Sequence, residues 1–134
     1  MLIWIIIWVI ITLFTSLLIA MELINGSLGW RFIVIALLMF AIILIPVVTI
    51  SEYRAAKIFY DSFKCSEAKV AQCETFGQEY TMLGEAMNQN YYLHLYQDKI
   101  ERLGIFAPYQ FIRELQPIHM NYFDMSKYRF WEWR

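Results

Sequence analysis

The chain has 134 residues, 60% of them hydrophobic and 18% aromatic, with a formal net charge of −1. A soluble globular domain is about 45–50% apolar, so this composition argues for a membrane. The near-neutral balance gives no electrostatic support to broad nucleic-acid binding.

Residues 1–21, MLIWIIIWVIITLFTSLLIAM, carry no charge, and neither do residues 32–50, FIVIALLMFAIILIPVVTI. At 1.5 Å of rise per residue, about 20 helical residues cross a hydrocarbon core of roughly 30 Å. Thirteen Leu, Ile, Phe and Val side chains lie between Leu2 and Ala20. Together they favour insertion by at most about 4–8 kcal/mol. Spans are expected at about 2–22 and 32–50, within a hairpin over 1–50. The first run lacks a basic leader, exceeds the length of a signal-peptide core and is followed by no A-x-A site. It is read as an uncleaved anchor.

Between the runs sits ELINGSLGWR, whose Asn25-Gly26 pair and Gly29 favour a tight turn. A connection this short makes the two helices antiparallel. Asn25-Gly26-Ser27 also matches a glycosylation acceptor, but a turn pressed against the bilayer leaves no room for a glycan. The loop holds Arg31 alone, whereas Arg54, Lys57, Lys64 and Lys69 follow the second span. Cationic segments stay inside, so both termini are expected in the cytoplasm. The expected location is a bacterial inner membrane, with the chain passing twice.

Thr12, Ser16 and Ala20 repeat every four residues, beside Thr15. Such a small-residue seam lets another helix approach closely, either residues 32–50 of the same chain or another subunit. Pro46 is expected to kink or end the second span. Thr49-Ile50-Ser51-Glu52 fits a capping box that would open a new helix. Over 51–64, Tyr53, Ala56, Phe59, Tyr60 and Phe63 fall on one helical face, opposite Arg54, Lys57, Asp61 and Lys64. This predicts an amphipathic juxtamembrane helix lying at the interface, its rings among the headgroups.

Residues 65–134 read as a small, mostly helical cytoplasmic domain. A short helix around 66–76 is expected to stop at Gly77. A longer one over about 79–103 ends on Lys99, Arg102 and Gly104. Pro108 suits the start of a further helix, PYQFIRELQ, which Pro117 closes. The stretch YYLHLY alternates as a strand would, but it is assigned to the long helix. The fold class is therefore all-α: a transmembrane hairpin, an interfacial helix and a helical domain.

Signals for chemistry are sparse. Cys65 and Cys73, eight residues apart, would sit about 12 Å apart along a continuous helix, too far for a disulfide. They are read as two small buried thiols, free in a reducing compartment. His94, Asp98 and Glu101 share a helical face and could bind a divalent metal, although charged helix faces contain such triples routinely. His119 stands alone and reads as packing or a cap. Phosphate-loop, dinucleotide, zincin and nucleophile-elbow motifs are missing from the sequence. Neither apolar run holds an ionisable residue, where proton relays and ion sites announce themselves. No catalytic residue, metal or cofactor is assigned.

The last eight residues, KYRFWEWR, set Tyr128, Phe130, Trp131 and Trp133 among Lys127, Arg129 and Arg134. Three readings fit: an anchor in the headgroup layer, a docking peptide, or rings that complete the domain core. The whole pattern suggests a non-enzymatic accessory subunit whose partners are other membrane proteins and lipid. A self-assembling permeabilising protein, resembling a phage holin or small toxin and forming a homo-oligomer, is the alternative. Against it, this domain is long and near neutral where holin tails are short and basic. A small membrane enzyme using His94, Asp98 and Glu101 is a third.

Overall fold

The computed structural model describes residues 1–25 and 29–123. The Gly26-Ser27 part of the turn and the aromatic-basic tail Lys127–Arg134 lie outside them. Every regular element among the described residues is helical: α1 (Leu2–Asn25), α2 (Trp30–Ala71) and α3 (Phe76–Leu103), then short 3-10 turns at Gly104–Phe106 and Gln110–Ile112. The chain divides into two compact units, 1–54 and 55–134.

In unit 1, α1 and the first part of α2 are long and apolar enough to cross a membrane. Their side chains are not folded into a core. Leu13, Leu17, Phe40 and Ile43 are all more than half exposed, whereas a soluble protein's core helix would bury its apolar residues. Polar contacts tie the pair at both ends. Trp8 Nε1 donates to the Ile42 carbonyl at 2.8 Å, and Arg31 pairs with Glu22 at 3.4 Å. These contacts, 8 with 42 and 22 with 31, define an antiparallel arrangement.

Of the kink or end expected at Pro46, the end does not occur, and no helix begins at Thr49; the helix runs unbroken from Trp30 to Ala71. Proline removes only one ladder hydrogen bond, to the carbonyl four residues earlier. That carbonyl is Ile42, which Trp8 serves. A capping box matters only where N–H groups are free, and within a continuous helix those after Thr49 already have partners.

Unit 2 is an antiparallel pair made of α2 from Ala55 onward and α3. Gln89 Nε2 donates to Ser62 Oγ at 2.9 Å, and Ser66 donates to Glu85. Phe59 stacks on Tyr96 with centroids 4.9 Å apart. The buried residues repeat every seven positions: Ala56, Phe63 and Val70 on α2; Ala86, Leu93 and Ile100 on α3. This is the 3.5-residue periodicity of a coiled-coil seam. The aromatic face of 51–64 is therefore packed against α3. Phe59 and Tyr60 rest on the same core.

The predicted 66–76 helix does not exist as a separate element. Its first part belongs to α2, and Gly77 lies inside α3. The N-terminus of α3 is set by Thr75, whose hydroxyl accepts from Gln78 N at 3.3 Å. Gln78 Oε1 reaches back to Glu74 N at 2.7 Å. This T-x-x-Q cap overrides the glycine, which costs only about 1 kcal/mol inside a helix. At the other end Gly104, at φ 57°, donates its N–H to the Ile100 carbonyl.

Residues 108–116 do not form the expected α-helix. They make a 3-10 turn and then leave helical structure after residue 114. Tyr109 and Ile112 are buried at the turn, and Leu115 and Ile118 are buried beyond it. Gln110 Nε2 also holds the carbonyls of Gly104 (2.6 Å) and Ala107 (3.1 Å), fixing the tight course.

Candidate functional site

Two surfaces stand out, one in each unit. In unit 1 the seam residues differ in placement. Thr15 is fully buried and Thr12 partly so, while Ser16 and Ala20 are exposed. The hydroxyls bond back to their own helix: Thr12 Oγ1 to the Trp8 carbonyl (2.8 Å), Thr15 Oγ1 to Ile11 (2.7 Å) and Ser16 Oγ to Thr12 (2.8 Å). Each donor is thereby satisfied without water, which an apolar setting demands. The oxygens keep a lone pair for another donor. Within the unit, then, Thr15 fills the packed position and the Ser16–Ala20 side looks outward.

Two clefts flank the pair. One of about 300 Å³ is lined by Trp4, Trp8, Ile45, Pro46 and Thr49. The other, about 320 Å³, lies beside Phe14, Leu18, Trp30 and the Arg31–Glu22 pair.

In unit 2 an irregular strap, residues 115–123, runs back along α3 and is held by three polar side chains of that helix. Gln97 Nε2 donates to the Leu115 carbonyl at 2.9 Å. Asn90 makes a paired contact with Ile118, donating to its carbonyl (3.1 Å) and accepting from its N–H (2.7 Å). Glu79, with no exposed surface, accepts from Asn121 N (2.9 Å), Tyr122 N (2.7 Å) and Phe123 N (3.0 Å). Three converging N–H groups are strong partners for a carboxylate.

Sequence reading missed this trio. Its signal was the heptad itself: Glu79 occupies the position that Ala86, Leu93 and Ile100 continue. A carboxylate in a buried register needs partners, and only main-chain N–H groups of a returning segment supply them here.

The titratable residues singled out from the sequence are scattered. Asp98 pairs with Arg102 at 2.9 Å, Glu101 is exposed and His94 half-buried on α3. Among the described residues no three His, Cys, Asp or Glu side chains stand together as a metal site. The two cysteines are not both buried as expected: Cys65 is exposed and Cys73 half-buried, both as free thiols. His119 is exposed on the strap.

Compared with protein-family models, curated proteins and solved structures, the chain matches none. Its function is therefore argued from these surfaces alone.

Proposed function

We propose that the chain is a non-enzymatic accessory subunit of a membrane protein assembly. Residues 2–22 and 32–50 cross a bacterial inner membrane as a hairpin, with both termini in the cytoplasm, and unit 2 offers a docking surface there. The observation that supports this most is the outward side of α1. Ser16 and Ala20 are small and exposed, while the packing position within the pair is taken by Thr15. Small residues facing outward let a second helix approach closely, and packing drives association in lipid.

The experiment is extraction of the tagged full chain in mild detergent, followed by native mass and composition. Other chains in fixed ratio support the subunit, and Ser16→Leu with Ala20→Leu is expected to strip them away. A lone monomer that keeps its cellular role overturns the reading.

The same outward side also favours a second reading, a self-assembling permeabilising protein. A homogeneous homo-oligomer, together with collapse of membrane potential on expression, would establish it in place of the first.

A further inference from the structure

Glu22 follows the first charge-free run directly, and Arg31 precedes the second. Both therefore lie at the level where an apolar span gives way to headgroups. They meet at 3.4 Å, Arg31 Nη1 to Glu22 Oε1, with side chains 49% and 19% exposed. A close charge-assisted bond would measure about 2.7–2.9 Å. A guanidinium carries five donors in a planar fork, so this long contact leaves Arg31 able to hold another anion.

The pair stands at one end of the cleft of about 320 Å³ in unit 1. Away from the pair the lining is apolar: Phe14, Leu18 and Met21 of α1, with Val34 and Ile35 of α2. From Glu22 back to Phe14 the helix rises about 12 Å. The site thus offers a cation, an anion beside it and an apolar slot leading away. A molecule that matches all three carries an anion, a nearby cation and a hydrocarbon chain. That is a zwitterionic phospholipid. Within this class phosphatidylethanolamine suits Glu22, because its primary ammonium donates N–H bonds to a carboxylate. The quaternary ammonium of phosphatidylcholine has none to give. Phosphatidylglycerol would meet Arg31 but bring its phosphate against Glu22 with no cation to offset it.

We propose that the Glu22–Arg31 cleft is a phospholipid site selective for phosphatidylethanolamine. The phosphate sits on Arg31, the ammonium on Glu22, and one acyl chain lies along Phe14, Leu18, Val34 and Ile35. Trp30, which also lines the cleft and is 71% exposed, suits the headgroup layer where indole rings settle. The site needs no protein partner and rests on the membrane-crossing reading of unit 1.

The test starts from cells expressing the tagged full chain, whose membranes are washed in alkaline carbonate. The chain is then extracted in mild detergent and mixed with phosphatidylethanolamine, phosphatidylcholine or phosphatidylglycerol of matched acyl chains. Native mass spectrometry counts the lipid retained. Phosphatidylethanolamine should be kept severalfold better than either of the others. Glu22→Gln should erase its lead over phosphatidylglycerol, and Arg31→Gln should weaken both. Equal retention of the three lipids, or a preference that Glu22→Gln leaves intact, overturns the site alone. Release by carbonate overturns the membrane reading and the site with it. Should either variant lose helical circular dichroism, Val34→Trp fills the groove and keeps the charged pair. Undiminished retention in that variant also overturns the site.

Discussion

Trp8 donates its indole N–H to the carbonyl that Pro46 leaves without a helical partner. One helix thereby repairs the other. In an apolar setting an orphaned carbonyl is costly, so this contact explains how α2 passes through a proline without stopping. Trp8→Phe should destabilise unit 1 by about 0.6–2 kcal/mol, the range for one such bond in lipid or a buried site. Pro46→Ala restores the missing N–H, so the same Trp8→Phe change should cost clearly less in that background. Unfolding by dodecyl sulfate in mixed micelles measures both, and strictly additive effects would refute the link.

Glu79 is the anchor of the strap. Glu79→Ala leaves the N–H groups of Asn121, Tyr122 and Phe123 without their acceptor and should cost about 2–4 kcal/mol. Glu79→Gln, which keeps one acceptor oxygen, should cost less. Hydrogen exchange distinguishes this from general loosening. Amides 121–123 should lose protection first, while those around Leu93 and Ile100 retain theirs.

The seam of unit 2 predicts a strong contrast along α2. Phe63→Ala removes a fully buried ring and should cost about 3–5 kcal/mol. Ile58→Ala, at a position 71% exposed, should stay within about 0.5 kcal/mol. Urea titration followed by circular dichroism in detergent reads both, and comparable losses would mean that the aromatic face is not the core.

The location of the helix cap can be tested directly. Thr75→Ala should cost about 1 kcal/mol, as the loss of an N-cap does. Ser51→Ala and Glu52→Ala, in mid-helix, should leave helix content unchanged. If Glu52→Ala melted helix at 53–71 instead, α2 would have to be two helices.

The apolar runs were legible because hydrophobicity over 20 residues is a statement about solvent, independent of any partner. The end of α3 was legible for a similar reason, since Gly104 relieves a local backbone strain. What sequence reading misplaced depended on residues far away. Pro46 reads as a kink or a stop, and the stop is ruled out only when Trp8, 38 positions earlier, is set beside Ile42. Thr49-x-x-Glu52 and Thr75-x-x-Gln78 are the same signal, and only the register of the surrounding ladder decides which is used. The face of Ala56, Phe59, Tyr60 and Phe63 was correctly seen as apolar. A pattern of 3.6 or 3.5 residues gives a face, however, and says nothing of what covers it. The heptad on α3 that identifies the cover was masked by the alternation in YYLHLY. The outward side of Ser16 and Ala20 could not be foreseen, since Thr12 and Thr15 compete for the same close approach.

The grip of Glu79, Asn90 and Gln97 falls on N–H and C=O groups, which every residue other than proline carries alike. Between the pinned Leu115 and Ile118 and beyond them, Gln116, His119, Asn121 and Tyr122 turn their side chains to the surface. The strap is thus recognised as a length of backbone, whatever its text. Its course is fixed by the helix beneath, while its outward lettering is free to be rewritten without unsettling the fold.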